Sequence, residues 1–414
     1  MERHYFTVHK VKLEERIPEN RQTERTLETL LERARGIAQL AAERTQAIEQ
    51  QRRLPDDLLT AIKESGLFRI MQPSHWGGYE MDLGAFVRVA TEIAKGDTST
   101  GWVYCILGIH HFWIGYVEPE LQHEIWGKDS NVLMADSFAP VGKVQPVSGG
   151  YRLSGRWSFL SGLWCSDWVA VGALIAPEQG SRPEWAMCFV PKTDYRVDDQ
   201  WRVVGMQGTD SNTIVVEDAF VPRHRVYWLE RAQQTGESPG HKLNPSPLYR
   251  LPFIPTLGLA LVPAAVGSAR AALAHFQQWI EKRVPIYSTS GTSQQGMASA
   301  QIALAETSTA LDAVEGLMLR CADEIMSLTG ERQMPTELER MRYYAWRSYM
   351  VRQSIRVVDR LFELSGGHAL YLQHPLQRIW RDVHATGQHL ALHFEFAMEG
   401  YGRTLVGLPS GMLM

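Results

Sequence analysis

The sequence predicts an α+β fold, mainly α, in three consecutive blocks. Three observations carry it. Helical periodicity runs before about residue 130 and again after about 239. Short β-type runs separated by Gly, Pro and Asp turns fill the middle. Strand and helix never alternate as a parallel βαβ sheet would need. The division is residues 1–25, a polar leader; 26–130, an N-terminal helical domain; 131–238, a central β domain; and 239–414, a C-terminal helical bundle.

In chain order, Leu27, Leu30, Leu31, Ala34, Ile37, Ala38 and Ala41 keep a helical period from 26 to about 51. Pro55-Asp-Asp-Leu-Leu opens a second helix, with acids in its first turn, and Gly66 closes it. Trp76-Gly-Gly-Tyr is a turn, and 83–95 and 99–117 are two more helices. The runs 133–138, 150–155, 168–172, 185–190 and 213–217 suit the strands of a small barrel or sandwich. A loop through Pro239, Pro245 and Pro247 leads to helices at about 255–282, 294–328, 335–365 and 375–398.

At 414 residues the chain exceeds one ordinary core. Its 44% apolar and 21% charged content excludes a disordered chain. Forty-two Lys and Arg against 46 Asp and Glu give a charge of −4, with no basic surplus for nucleic acid. Four scattered cysteines without a CxxC pair argue against a zinc ribbon or disulfide scaffold and suit a reducing cytoplasm. The charged N-terminus has no signal-peptide h-region, and the longest apolar stretch, 257–267, contains Pro263 and is too short to span a bilayer. A soluble, cytoplasmic protein is expected.

No metal site is expected. His110-His111 point apart on a helix, no HExxH accompanies His389 and His393, and Glu120-Leu-Gln-His123 is a single ExxH. Neither GxxxxGK[ST], GxGxxG nor GxSxG occurs. Ser365-Gly-Gly-His368 reads as a helix C-cap or as a nest of backbone N–H groups for a phosphate. On one helix from about 375, Asp382 and His389 would share a face, and His389 is the default base if a pocket opens there.

Several phrases carry a resemblance: Met71-Gln-Pro-Ser-His-Trp-Gly-Gly78, Trp157-Ser-Phe-Leu-Ser-Gly162, Val204-Gly-Met-Gln-Gly-Thr-Asp-Ser-Asn-Thr213, Val216-Glu-Asp-Ala-Phe-Val-Pro222 and Arg381-Asp382. Together with the α–β–α order they resemble the acyl-CoA dehydrogenase superfold. Asp97-Thr-Ser-Thr-Gly-Trp102, the stretch 150–162 and Pro375-Leu-Gln-Arg-Ile-Trp-Arg-Asp-Val-His-Ala385 look most like its two-component flavin-dependent monooxygenases of the phenol hydroxylase type. Where many dehydrogenases carry a Glu base, this chain has Leu390. The resemblance implies reduced FMN or FAD from a separate flavin reductase, O2, a C4a-hydroperoxide, a small aromatic substrate and a homotetramer. It places Ser161 near flavin N5, with Gly162 beside it, and Arg250 and Phe253 at the isoalloxazine ring. His389 would orient or deprotonate the substrate, with His110 and Ser137 in the pocket and His111 as the alternative neighbour. Ser365, Gly366 and Gly367 would meet flavin of a neighbouring subunit. Loops 232–248 and 285–296 would line or gate the site. An N- or S-oxygenase, an acyl-CoA dehydrogenase and a catalytically silent scaffold are the alternatives.

Overall fold

The computed structural model describes residues 26–177, 181–286, 288, 291–329 and 334–412. The expected leader lies outside the described residues, as do Tyr287, Thr289 and Ser290 of the candidate gate. Helices α1 (Leu27–Gln51), α2 (Asp56–Glu64), α3 (Leu83–Ala94), α4 (Thr98–Ile114) and α5 (Pro119–Trp126) come first. Thr26, Asp82 and Asp97 cap α1, α3 and α4 by accepting a backbone N–H three residues on, which satisfies a donor the helix cannot. Short α5 is an element the periodicity did not show.

The strands are β1 (Met134–Val147), β2 (Gly150–Leu160), β3 (Trp168–Ile175), β4 (Glu184–Pro191), β5 (Arg196–Asp198), β6 (Asn212–Pro222) and β7 (Val226–Tyr227). They form one seven-stranded sheet in the order β5-β6-β2-β1-β3-β4-β7. β1 joins its halves: Met134 to Ser137 run parallel to β3, and Lys143 to Val147 antiparallel to β2. A register shift between Ser137 and Gly142 divides the two pairings. Trp157, Val171, Cys188 and Val216, drawn from both halves, share one buried core, so the sheet curls around it.

After α6 (Leu229–Thr235) come α7 (Phe253–Leu259), α8 (Val262–Lys282), α9 (Ala298–Met326), α10 (Glu337–Ser365), α11 (Pro375–Thr386) and α12 (Phe394–Leu405). The N-terminal and C-terminal helices bury their apolar sides in a single continuous core. Gly267 on α8 lies so close to α3 that a Cβ there would stand 2.4 Å from the Thr91 carbonyl oxygen. Phe253–Lys282 is, among the described residues, one helical stretch long and apolar enough to cross a membrane, although 78% of its most apolar window is buried here. It extends well beyond 257–267 on both sides.

The single helix expected over 375–398 is two helices, α11 and α12, with a turn between them. The reason lies in α10. The Tyr344 hydroxyl donates to the Leu390 carbonyl at 2.5 Å and Arg347 Nε to the Ala391 carbonyl at 2.6 Å, so side chains take acceptors that a continuing helix would pair with its own amides. His389 is therefore outside the helix, and it does not share a helical face with Asp382.

Candidate active site

Asp97 starts α4 by accepting from Thr100 N at 2.8 Å, and α4, buried along its length, carries Trp102, His110 and His111. Trp102 Nε1 donates to Ser161 Oγ at 2.9 Å, and its ring lies 5.3 Å from that of His389, edge-on. Ser161 stands just past β2. There Gly162, at φ +70, turns the chain through the left-handed region and donates its N–H to the Thr209 carbonyl at 2.8 Å. Ser161 Oγ is 2.8 Å from Ser211 Oγ, which is 2.7 Å from Thr209 Oγ1, whose own hydroxyl donates to the Met206 carbonyl at 2.9 Å.

α11 anchors this loop. Asp382 accepts from Met206 N at 2.6 Å, and Arg381 donates to the Val204 carbonyl at 2.7 Å and to Glu49 at 2.6 Å. Burial, reinforced by the nearby Asp97 carboxylate, pushes the Asp382 pKa up to about 7.

His389 opens the 390–392 turn, and its Nδ1 accepts from Ala391 N at 3.2 Å. Its neutral form therefore carries the hydrogen on Nε2. Dense surrounding protein pushes its pKa down to about 4; Asp136 pulls the other way and Arg347 adds to the fall. The residue nevertheless keeps open surface. His110 has the opposite tautomer. Its Nδ1 lies 2.6 Å from the Met134 carbonyl, which only accepts, so Nδ1 bears the hydrogen. Nε2 is left 3.5 Å from Asp136 Oδ2 as the nitrogen that can take up a proton. Asp136 thus acts on both histidines.

The structure does not bring His111 to this group. Its ring stacks between Phe68 and Trp126, Nδ1 faces the Leu107 carbonyl at 3.1 Å, and burial pushes its pKa down to about 3. Ser137 donates to the Ser158 carbonyl at 3.1 Å, close along β2 to Ser161, but its neighbour Asp136 makes the histidine contact. Phe253 is buried against Trp113, Tyr116 and Tyr227, and Trp113 continues the aromatic wall through Phe138 and His110. Half-buried Arg250 precedes it on a short 3-10 turn and makes no hydrogen bond or ion pair among the described residues. Ser365 is buried and its hydroxyl bonds back to the Leu361 carbonyl at 2.8 Å, so it presents no side-chain donor outward. Gly366 follows at φ +65, and at Gly367 no atom lies within 4 Å of where a Cβ would stand. The outer side of the 387–393 turn faces a different groove, lined by Arg352, Asp359, His384 and Glu395, which holds none of these residues.

This donor set fits a flavin. Ser161 has one hydrogen-bonding position left after Trp102 and Ser211, Arg250 is a cation without a protein partner among the described residues, and the backbone is open to close approach at Gly367, whereas Arg283 stands against Gly366. No carboxylate stands on the 389–393 turn, where Leu390 is 60% exposed. Glu120, Glu124 and His224 lie close enough to share a cation, but Arg225 Nε already donates to Glu124 at 2.6 Å and His224 Nε2 lies 3.0 Å from it, the pattern of an ion-pair network. Sequence reasoning passed over Trp102, Asp136, Thr209, Ser211, Tyr344 and Arg347. Trp102, Thr209 and Ser211 sat within phrases already singled out, whereas nothing in the sequence marked the other three.

Comparison with known proteins gives the family. The acyl-CoA dehydrogenase N-terminal domain model matches residues 24–116 and the C-terminal domain model residues 259–394. The chain is 36% identical over 380 residues to the flavin-dependent monooxygenase oxygenase subunit HsaA of Rhodococcus jostii, covering 92% of this chain and 98% of that one. It is 31% identical to the FADH(2)-dependent resorcinol hydroxylase oxygenase component of Rhizobium sp., covering 92% and 95%. Among solved structures, XiaF from Streptomyces sp. in complex with FADH2 and glycerol superposes with a TM-score of 0.87 at 26% identity, covering 95% and 98%.

Proposed function

Because this chain belongs to the oxygenase subunits of flavin-dependent monooxygenases built on the acyl-CoA dehydrogenase fold, we propose that it hydroxylates a small phenol, using reduced FAD. The observation that carries the substrate class is the His110–Asp136 pair. A nitrogen free to accept a proton, with a carboxylate 3.5 Å away to stabilise the resulting cation, suits removal of a phenolic proton. Deprotonation makes the ring carbon nucleophilic. Neutral His389, with hydrogen on Nε2, donates a hydrogen bond that orients the substrate. Phe253, Trp113 and Phe138 supply a flat apolar wall and keep water out. Reduced flavin, when bound, supplies the two electrons that divide O2 between product and water.

An oxygenase subunit draws its reduced flavin from a partner flavin reductase. FAD is favoured over FMN because the resorcinol hydroxylase is FADH(2)-dependent and XiaF holds FADH2. A homotetramer would cover exposed Leu370, Tyr371 and Leu372 beside the Gly366-Gly367 turn and bring that turn to a neighbour's cofactor. Four free cysteines suit a reducing cytoplasm.

The test is anaerobic mixing with reduced FAD or FMN, followed by an oxygen pulse under stopped-flow absorbance and a panel of phenols. A near-ultraviolet band that outlives free-flavin oxidation, and decays faster with a phenol that is converted to a catechol, is the expected result. Oxidation at the free-flavin rate with both cofactors would refute the reading.

A further inference from the structure

Three hydroxyls run from Ser161 into the protein, and their hydrogens can be counted. Trp102 Nε1 only donates, so Ser161 accepts from it. The Met206 carbonyl only accepts, from Trp201 Nε1 at 3.0 Å and Thr209 N at 3.2 Å as well as from the Thr209 hydroxyl at 2.9 Å, so that last contact is a donation by Thr209. Thr209 gives its single hydroxyl hydrogen to Met206, and must therefore accept from Ser211 at 2.7 Å. Ser211 has then used its hydrogen and must accept from Ser161 at 2.8 Å. Ser161 has used its hydrogen inward and one lone pair on Trp102. What it keeps is one lone pair.

Trp102, Ser161, Thr209 and Ser211 are all buried, so bulk water does not scramble this direction. The Met206 end is held by Asp382 on Met206 N at 2.6 Å and by Arg381 on Val204. The indole end is held by α4, so the chain spans rigid elements of all three parts of the molecule.

From this we propose that Thr209 and Ser211 are positioning residues that turn the Ser161 hydroxyl into a hydrogen-bond acceptor, and thereby make the site select reduced over oxidised flavin. The inference rests on the reading above that Ser161 meets the flavin N5 edge. Reduced flavin carries a hydrogen on N5 and oxidised flavin carries only a lone pair there. An acceptor at Ser161 therefore binds the first and opposes the second. An oxygenase subunit that receives its cofactor reduced and must release it oxidised is served by that preference.

The test compares dissociation constants of oxidised and anaerobically reduced FAD for the wild-type protein, Ser211→Ala and Thr209→Val. Ser211→Ala removes the acceptor of the Ser161 hydrogen, whereas Thr209→Val removes the acceptor of the Ser211 hydrogen, so that Ser211 turns to donate to Ser161. Either way the Ser161 hydrogen is turned outward, toward the flavin edge. The ratio of oxidised to reduced dissociation constants is expected to fall about tenfold, the worth of one hydrogen bond changing sense. The potential of the bound two-electron couple should fall by about 30 mV, that same factor in electrical units. Thr209→Ser, which keeps the hydroxyl, should keep the wild-type ratio and so separates direction from packing. In a Ser161→Ala background, Ser211→Ala should change nothing further. A ratio that is unchanged or higher in both Ser211→Ala and Thr209→Val overturns the proposal while leaving flavin binding intact. Wild-type protein that binds neither redox state overturns the flavin reading itself.

Discussion

Arg347 offers a direct test of how the site is held together. It is 2% exposed on α10, lies with its guanidinium carbon 4.4 Å from the centre of the Tyr344 ring, and donates Nε to the Ala391 carbonyl at 2.6 Å. That bond fixes the turn which presents His389, and the charge helps to hold the His389 pKa near 4. Arg347→Met keeps the length and apolar body but removes bond and charge. A hydrogen bond from a charged donor contributes about 2 kcal/mol, or roughly 30-fold in the population of the correctly held turn. Burying the guanidinium is itself costly, as its pKa near 10 records, so net stability should fall by less than the bond alone suggests. The expected result is kcat/KM for the phenol down about 30-fold. The His389 pKa, read by NMR titration of labelled imidazoles, should rise because a nearby positive charge is gone. A kcat/KM within about threefold of wild type, together with an unmoved His389 titration, would refute the clamp.

Two further predictions concern stability. Asp382 has its folded pKa raised to about 7, so the stability it contributes is present at acid pH and is lost as pH rises through that value. Asp382→Asn should therefore gain on wild type by about 2 kcal/mol between pH 5 and 8 in denaturant unfolding; parallel pH profiles would contradict the assignment. Gly162→Ala forces a side chain into φ +70 and places its Cβ 2.9 Å from Leu107 Cδ1. Unfolding stability should drop by about 1–3 kcal/mol, measured by the urea midpoint, and flavin affinity should fall with it as Ser161 shifts.

The α–β–α order was legible because its causes are local. A 3.6-residue apolar period writes α1 directly into the sequence, and the runs 83–95 and 99–117 read as helices close to where α3 and α4 stand, although α4 is buried on every side and starts at Thr98, capped by Asp97. The same local reasoning joined α11 to α12. The acceptors of that turn are taken by Tyr344 and Arg347, more than forty residues away, and no period within 375–398 records them. The two histidines of α4 show the limit more sharply. Adjacent on a helix, they had to point apart, but only the approach of β1 decides that His110 meets Met134 and Asp136 while His111 is sealed between Phe68 and Trp126. Residue types fix which hydrogen bonds and charges are available. Which partner each group meets, which tautomer it adopts and which way a hydroxyl points depend on distances of a few ångströms between distant segments, and those exist only once the chain has packed.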